Sequence, residues 1–195
     1  MSHSSGPKEA AVRRFRMLVI GVVAVLISLG AAVAVPAVAA ASTCSTPWTS
    51  GADTAEAQNP SPLVAVRTGS HACFDRVVFE IAGSVGAGWN VRYVDVVRTD
   101  GSGQALTVPG GARLAVTLRH PAYDSAGVAT FPATVGKPVA NVRGYPTLRS
   151  VVYGGSFEGF TTFGVGTRAR LPFRVFALAG PGGHTRIVLD VAHRW

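Results

Sequence analysis

The chain has 195 residues, and 18 Lys and Arg against 10 Asp and Glu give it a formal net charge of +8. This length suits one ordinary domain together with a targeting segment. The basic residues of the part beyond the amino-terminal segment are scattered and form no run with interleaved aromatic residues, which excludes the usual patterns of nucleic-acid binding.

The amino-terminal segment has the pattern of an export signal. An uncharged apolar stretch runs from Met17 to Val35 and is followed by the small residues Ala37-Val38-Ala39. A basic start, an apolar run and an Ala-x-Ala sequence are typical of a signal peptide. We therefore predict a signal peptide over residues 1–39, cleavage after Ala39, and a secreted, extracytoplasmic protein associated with the cell envelope. The basic residues before the apolar run are Lys8, Arg13, Arg14 and Arg16.

A retained membrane anchor is the alternative for this segment. The nineteen uncharged residues of 17–35 approach the about 20 that cross a bilayer. In both cases the remainder of the chain lies outside, because the positive charges stay on the cytoplasmic side. The pair Arg13-Arg14 also leaves the twin-arginine export route open beside the general one.

Two cysteines follow the predicted cleavage position, Cys44 and Cys73. An even count in an exported protein indicates one disulfide. The alternative is a lipid-modified Cys44, but the preceding Ala41-Ser42-Thr43 fits a lipoprotein signal poorly. We therefore predict that the two cysteines are joined.

The pattern of the remaining residues predicts an irregular segment followed by β-strands. Residues 40–62 are rich in Ser, Thr, Ala and Pro and predict a mostly irregular tether, and the domain itself is expected over 63–195. Within it, apolar and polar residues alternate with the period of two that indicates strands. The alternating segments are Phe74–Ala82, Trp89–Val96, 113–119, Leu148–Tyr153, Phe173–Leu178 and Thr185–Ala192.

Turn signals separate these segments. Asp100-Gly101-Ser102-Gly103 is a turn sequence, and Gly180-Pro181-Gly182-Gly183 predicts a hairpin connection. The region 122–146 holds too many prolines for a central strand, so we expect a long loop with at most edge pairing. The fold class is therefore all-β, an antiparallel β-sandwich of about seven short strands.

Four motifs follow one another in the predicted domain: Phe74-Asp75-Arg76-Val77-Val78-Phe79-Glu80, the run 157–166, Pro172-Phe173-Arg174-Val175-Phe176 and the run 186–193. Together they resemble the AMIN-like domain family, and the likeness covers about residues 63–195. The resemblance implies a β-sandwich related to AMIN domains, which accompany peptidoglycan amidases and secretin pores and help to localise them at the cell wall. It also implies a secreted or surface-tethered protein, and Cys44 with Cys73 resembles the cysteine pair of one subgroup.

The charged residues of these motifs are the candidate site. One interpretation is a structural ion network, because unpaired charges beside apolar strand residues are costly to bury. The other is ligand binding, in which arginine forks meet carboxylates of stem peptides or anionic glycans and the glycine-rich run 154–166 forms a loop. The network candidates are Asp75, Arg76, Glu158, Arg174 and Asp190, and the ligand candidates are Arg76, Glu158, Thr161, Thr162, Phe163 and Arg174.

No catalytic pattern stands out. The histidines beyond the signal lack the i, i+4 spacing of a zinc hydrolase, and Ser156 misses the spacing of a nucleophile elbow. We therefore expect no enzyme activity, no metal and no cofactor. The predicted function is a non-catalytic envelope module that binds peptidoglycan or another wall polymer. The alternatives are a protein-interaction module on a secreted or membrane partner and a wall hydrolase of unrecognised type, with membrane contact only through an uncleaved amino-terminal segment.

Overall fold

A computed structural model describes residues 44–195, so the predicted signal peptide and its cleavage after Ala39 lie outside the described residues. The described part consists of nine strands and one short 3-10 helix, Pro181–Gly183. The strands are β1 (Asp53–Ala55), β2 (Leu63–Ser70), β3 (Phe74–Ile81), β4 (Trp89–Tyr93), β5 (Ala112–Leu118), β6 (Leu148–Phe157), β7 (Phe160–Thr167), β8 (Phe173–Ala179) and β9 (Thr185–Ala192).

The strands form two antiparallel sheets. One sheet has five strands in the order β1-β4-β5-β7-β6, and the other has four in the order β2-β3-β9-β8. This arrangement confirms the all-β antiparallel sandwich. The segment expected to be mostly irregular contributes the short strand β1, which pairs with β4 from Asp53 to Ala55.

The alternation read from the sequence places the apolar side chains between the sheets. Val77, Phe79 and Ile81 of β3 have no exposed surface, and the Phe79 ring lies 5.0 Å from that of Phe163 in the opposite sheet. Full burial of such side chains stabilises a fold by about 1.5–3 kcal/mol each. The main cluster of buried residues runs from Leu63 to Val191, so residues after the predicted signal build their own hydrophobic interior.

The two sheets differ in how their outer faces are covered. A second, smaller cluster of Val97, Leu106, Val108 and Val152 packs the segment after β4 onto the outside of the five-stranded sheet. The outer face of the four-stranded sheet instead carries arginine and aromatic side chains.

The long connection between β5 and β6 behaves as its prolines indicate. It is mostly irregular, and Pro138 makes an isolated antiparallel bridge to Val152 of the edge strand β6. The expected edge pairing is therefore present.

The expected disulfide is also present. It joins Cys44 to Cys73, directly before β3.

Candidate functional site

Two arginines and one aspartate meet on the outer face of the four-stranded sheet. In the register of the sheet, Asp190 of β9 lies directly opposite Arg76 of β3 on one side and Arg174 of β8 on the other. Side chains at directly paired positions point to the same face of a sheet. The topology thus brings together three residues that are up to 114 positions apart in sequence.

Asp190 is buried and both of its carboxylate oxygens are occupied. Arg76 donates to Oδ1 from Nε at 2.6 Å and to Oδ2 from Nη2 at 2.9 Å. Arg174 donates to Oδ2 from Nε at 3.0 Å and from Nη2 at 2.8 Å. A buried carboxylate needs such compensation, and the hydrogen bond to Asp190 also raises the pKa of Arg76. Two cations share one anion, so the group keeps a net positive charge.

Aromatic rings surround the two guanidinium groups. The Arg174 guanidinium carbon lies 4.4 Å from the centre of the Trp48 ring and 4.8 Å from that of Phe176. The Arg76 carbon lies 5.2 Å from the centre of the Phe74 ring. All three distances fall within the range of cation–π attraction. We call Trp48, Phe74, Arg76, Arg174, Phe176 and Asp190 the arginine–aromatic cluster.

The cluster is open to solvent mainly at Arg174. The side chain of Arg174 is 43% exposed and that of Arg76 is 24% exposed, whereas Asp190 is fully buried. In neither arginine does Nη1 hydrogen bond to any residue that the structure describes. The cluster therefore combines a fixed structural core with donors that remain free for an anion.

Asp75 belongs to a different network from Arg76. Adjacent strand residues point to opposite faces, and Asp75 is buried toward the interior. Its Oδ2 accepts the backbone N–H groups of Thr147 and Leu148 at the start of β6, at 2.7 and 2.9 Å. Asp75 therefore links the two sheets.

The environment of Asp75 favours its ionised form. Burial alone would raise its pKa, but hydrogen bonds from Leu148, His193, Thr147 and Ser70 outweigh burial and hold the pKa below its ordinary value. His193 is joined to Oδ1 through Nε2 at 3.0 Å. We expected Asp75 to pair with the arginines. In the structure it instead bonds to His193 and to backbone N–H groups.

Glu158 lies away from both networks. It is exposed in the turn between β6 and β7, where Glu158 and Gly159 both have positive φ, at 48° and 84°, as a two-residue hairpin turn requires. It forms no ion pair with the residues that the structure describes. A turn is thus the role that its backbone geometry supports.

The run 154–166 is a strand hairpin instead of a loop. Thr161 and Phe163 have no exposed surface and Thr162 is 3% exposed. The Thr162 hydroxyl donates to Asp100 at 2.6 Å, and the Thr161 hydroxyl donates to the carbonyl of His120 at 2.7 Å. This burial leaves the three residues almost no surface for a ligand, so we omit them from the proposed site.

The glycines of this run permit close packing. A Cβ on Gly166 would lie 1.9 Å from the carbonyl oxygen of Pro109, and one on Gly164 would lie 2.3 Å from a methyl group of Val108. Glycine is therefore needed where the segment after β4 crosses the outside of β7.

Sequence reasoning did not connect Trp48 with the arginines of the site. Its signal was present, because Trp48 follows Cys44 closely and Cys73 precedes Phe74. The disulfide between those cysteines brings the two aromatic residues together, with ring centres 5.7 Å apart. A second missed group lies on the same face, where the buried carboxylate of Glu80 pairs with Arg67 and His184.

The structure shows where the side chains considered for a catalytic role lie. Among residues 44–195, the His, Cys, Asp and Glu side chains include no group of three that could hold a metal ion. The hydroxyl of Ser156 accepts the N–H of Ala122 at 2.9 Å and donates to the carbonyl of Phe160 at 2.8 Å, which gives it a structural role. Glu80 lies on β3 of the four-stranded sheet, whereas Glu158 lies in the turn between β6 and β7 of the other sheet.

The fold and this site define a two-sheet β-sandwich module with a buried, ion-paired carboxylate on the outer face of its four-stranded sheet. The family model for the AMIN-like domain matches residues 61–193. The chain therefore belongs to the AMIN-like family. The comparison with curated proteins found no match. No helix within residues 44–195 is long and apolar enough to cross a membrane.

Proposed function

We propose that this protein is a non-catalytic, secreted envelope module that binds peptidoglycan or another anionic wall polymer through the arginine–aromatic cluster. The family membership places it among cell-wall-related modules. The observation that carries the proposal is the partly exposed Arg174 guanidinium, stacked between Trp48 and Phe176 and fixed by Asp190.

The geometry suits a carboxylate or phosphate. Arginine presents planar donors that match the oxygens of such groups, and a guanidinium held by a buried carboxylate loses little freedom on binding. The free Nη1 groups of Arg76 and Arg174 supply the donors. The net positive charge of the cluster attracts a polyanion, and this attraction weakens as salt screens it.

The aromatic rings add a second mode of contact. Trp48, Phe74 and Phe176 are each partly exposed, and aromatic faces pack against the apolar faces of sugar rings. A wall glycan with acidic substituents offers both features in one ligand. The cluster therefore fits a polymer that alternates sugar rings and carboxylates or phosphates.

Co-sedimentation with insoluble wall sacculi tests this function. We expect residues 40–195 to sediment with sacculi at low salt and to be released as salt rises. Arg174→Gln and Trp48→Ala should each weaken sedimentation several-fold. Arg92→Gln is the matched control, because Arg92 is exposed on β4 and its guanidinium bonds only the side chain of Asn90 among the described residues.

The two alternative functions give different results in the same assay. A protein-interaction module leaves the sacculi pellet free of protein and crosslinks to one discrete partner in intact cells. A hydrolase releases soluble muropeptides from the sacculi. Equal sedimentation of wild type, Arg174→Gln and Trp48→Ala would remove the cluster from the proposal.

A further inference from the structure

A second basic surface lies at the end of the sandwich where β9 stops and β6 and β8 begin. Arg168 donates from Nη2 to the carbonyl of His193, and the Trp195 indole donates to the carbonyl of Arg170 at 3.2 Å. Arg149, on β6, lies next to Leu148, which pairs with Thr167. We call Arg149, Arg168, Arg170, Arg194 and Trp195, all of them exposed, the arginine-rich end.

Three of these arginines, Arg149, Arg168 and Arg170, donate hydrogen bonds to uncharged oxygens. These bonds therefore leave the positive charge without a neutralising carboxylate. Arg149 donates to the carbonyls of Tyr145 and Leu148, both at 2.9 Å. Arg170 donates to the carbonyl of Ser50 at 3.0 Å. Neutral acceptors hold a guanidinium in place without cancelling its charge. The arginine–aromatic cluster differs, since there a carboxylate is shared.

Few carboxylates offset this end. Asp75 and Asp190 are buried and engaged within the fold. Asp95 is exposed and shares a cleft of about 190 Å³ with Arg113 and Arg170. Among the described residues, the arginine side chains of this end therefore outnumber its exposed carboxylate side chains.

Trp195 gives the arginine-rich end an amphipathic ring. Its side chain is 72% exposed, the largest exposure among the large hydrophobic residues that the structure describes. Trp is enriched at the interface between a bilayer and water, where its ring sits at the level of the headgroups. Arginines beside an exposed Trp favour a lipid surface over a purely polar polymer.

We propose that the arginine-rich end docks the domain onto the surface of an anionic phospholipid bilayer. Arg149, Arg168 and Arg170 meet the lipid phosphates, and Trp195 enters the headgroup layer. The contact belongs to the folded domain and uses residues outside the arginine–aromatic cluster. Docking onto a bilayer can therefore be tested independently of wall binding.

Vesicle co-sedimentation tests the proposal with residues 40–195, which carry no apolar run. We expect binding to phosphatidylcholine vesicles that contain phosphatidylglycerol and none to phosphatidylcholine alone. Each basic residue near an anionic surface contributes about fivefold to partitioning, so Arg168→Gln/Arg170→Gln should lower it about 25-fold. The control Arg98→Gln/Lys137→Gln removes the same charge from exposed sites elsewhere and should have little effect.

Trp195→Ala is the second variant, because it removes an exposed ring and spares the arginines. We expect it to weaken vesicle binding several-fold with an unchanged unfolding midpoint. No binding to anionic vesicles, or an equal loss in the control, would overturn the proposal. So would a loss of sacculi binding in Arg168→Gln/Arg170→Gln with vesicle binding unchanged, which would assign this end to the wall.

Discussion

Arg76 and Asp190 face each other across β3 and β9 and are joined by two hydrogen bonds of 2.6 and 2.9 Å. The carboxylate is fully buried, while the arginine side chain remains 24% exposed. Arg174 completes the group from the other neighbouring strand. The pair therefore fixes the middle of the four-stranded sheet and the position of the exposed guanidinium beside it.

Replacing Asp190 should destabilise the domain. Asp190→Asn leaves two arginines without their shared anion, and breaking a buried pair in this way costs about 3 kcal/mol or more. Chemical unfolding in urea measures the change. The control is Glu56→Gln, because the Arg119–Glu56 pair lies at a side chain that is 74% exposed and such pairs contribute about 1 kcal/mol or less. Equal losses in both variants would contradict the structural role of Asp190.

Stability should fall as the pH drops below about 6.5 because of His120. His120 is fully buried, and its Nδ1 and Nε2 lie 3.0 Å from the carbonyl oxygen of Ser61 and 3.4 Å from the backbone nitrogen of Gly88. A neutral ring satisfies both contacts by donating from Nδ1 and accepting at Nε2. Burial lowers the pKa of His120 below its ordinary 6.5, against the smaller effect of the Ser61 bond.

The sign of the pH effect follows from linkage. Above pH 6.5 the ring is neutral in both states and the contribution is complete. Below that pH the unfolded chain takes up the proton first, so the free energy of unfolding declines. Urea unfolding between pH 8 and pH 5 should show a steeper decline in wild type than in His120→Gln, which lacks the titrating group. Identical slopes would contradict a neutral buried His120.

The disulfide should stabilise the fold by about 3–4 kcal/mol, because Cys44 and Cys73 close a loop with a sequence separation of 29. The variant Cys44→Ala/Cys73→Ala measures this contribution by chemical unfolding. It should also weaken sacculi binding, since the same link holds Trp48 against Phe74. Treatment with a reducing agent should affect wild type and leave the double variant unchanged. A wild type that is insensitive to reduction would contradict the link.

Gly166→Ala should destabilise the hairpin of β6 and β7. The added Cβ would lie 1.9 Å from the carbonyl oxygen of Pro109, so backbone must move, and such overpacking costs about 1–3 kcal/mol. Gly69→Ala is the control, because its nearest neighbour lies at 3.7 Å. Thermal unfolding of the two variants gives the comparison. If Gly166→Ala unfolds at the same temperature as wild type, close packing does not explain the glycines. The predicted binding loop would then be the remaining explanation for them.

The strand pattern was readable from the sequence wherever one face is apolar and the other polar. In β3, Val77, Phe79 and Ile81 alternate with Arg76, Val78 and Glu80 and enter the interior as predicted. β7 was not predicted, because it is central and buried on both faces, so polar and apolar residues do not alternate along it. β1 was not predicted, because three residues are too few to show a period.

The sequence predicted which residues belong to the site better than it predicted which of them pair with one another. Arg76, Arg174 and Asp190 stand in the expected motifs, but only the register of β3, β9 and β8 shows that they meet. Asp75 was grouped with them although it points to the other face. Trp48 could have been placed from the sequence, because the predicted disulfide between Cys44 and Cys73 brings it to Phe74.

The most direct test of the central claim follows the indole N–H signals of the three tryptophans by NMR as soluble muropeptides are added. Trp48 lies in the arginine–aromatic cluster, Trp89 is bound to Asp53 at 2.8 Å, and Trp195 lies at the arginine-rich end. Wall binding through the cluster predicts a saturable shift of the Trp48 signal, with the Trp89 and Trp195 signals unchanged. A silent Trp48 signal under conditions in which the protein sediments with sacculi would contradict the claim.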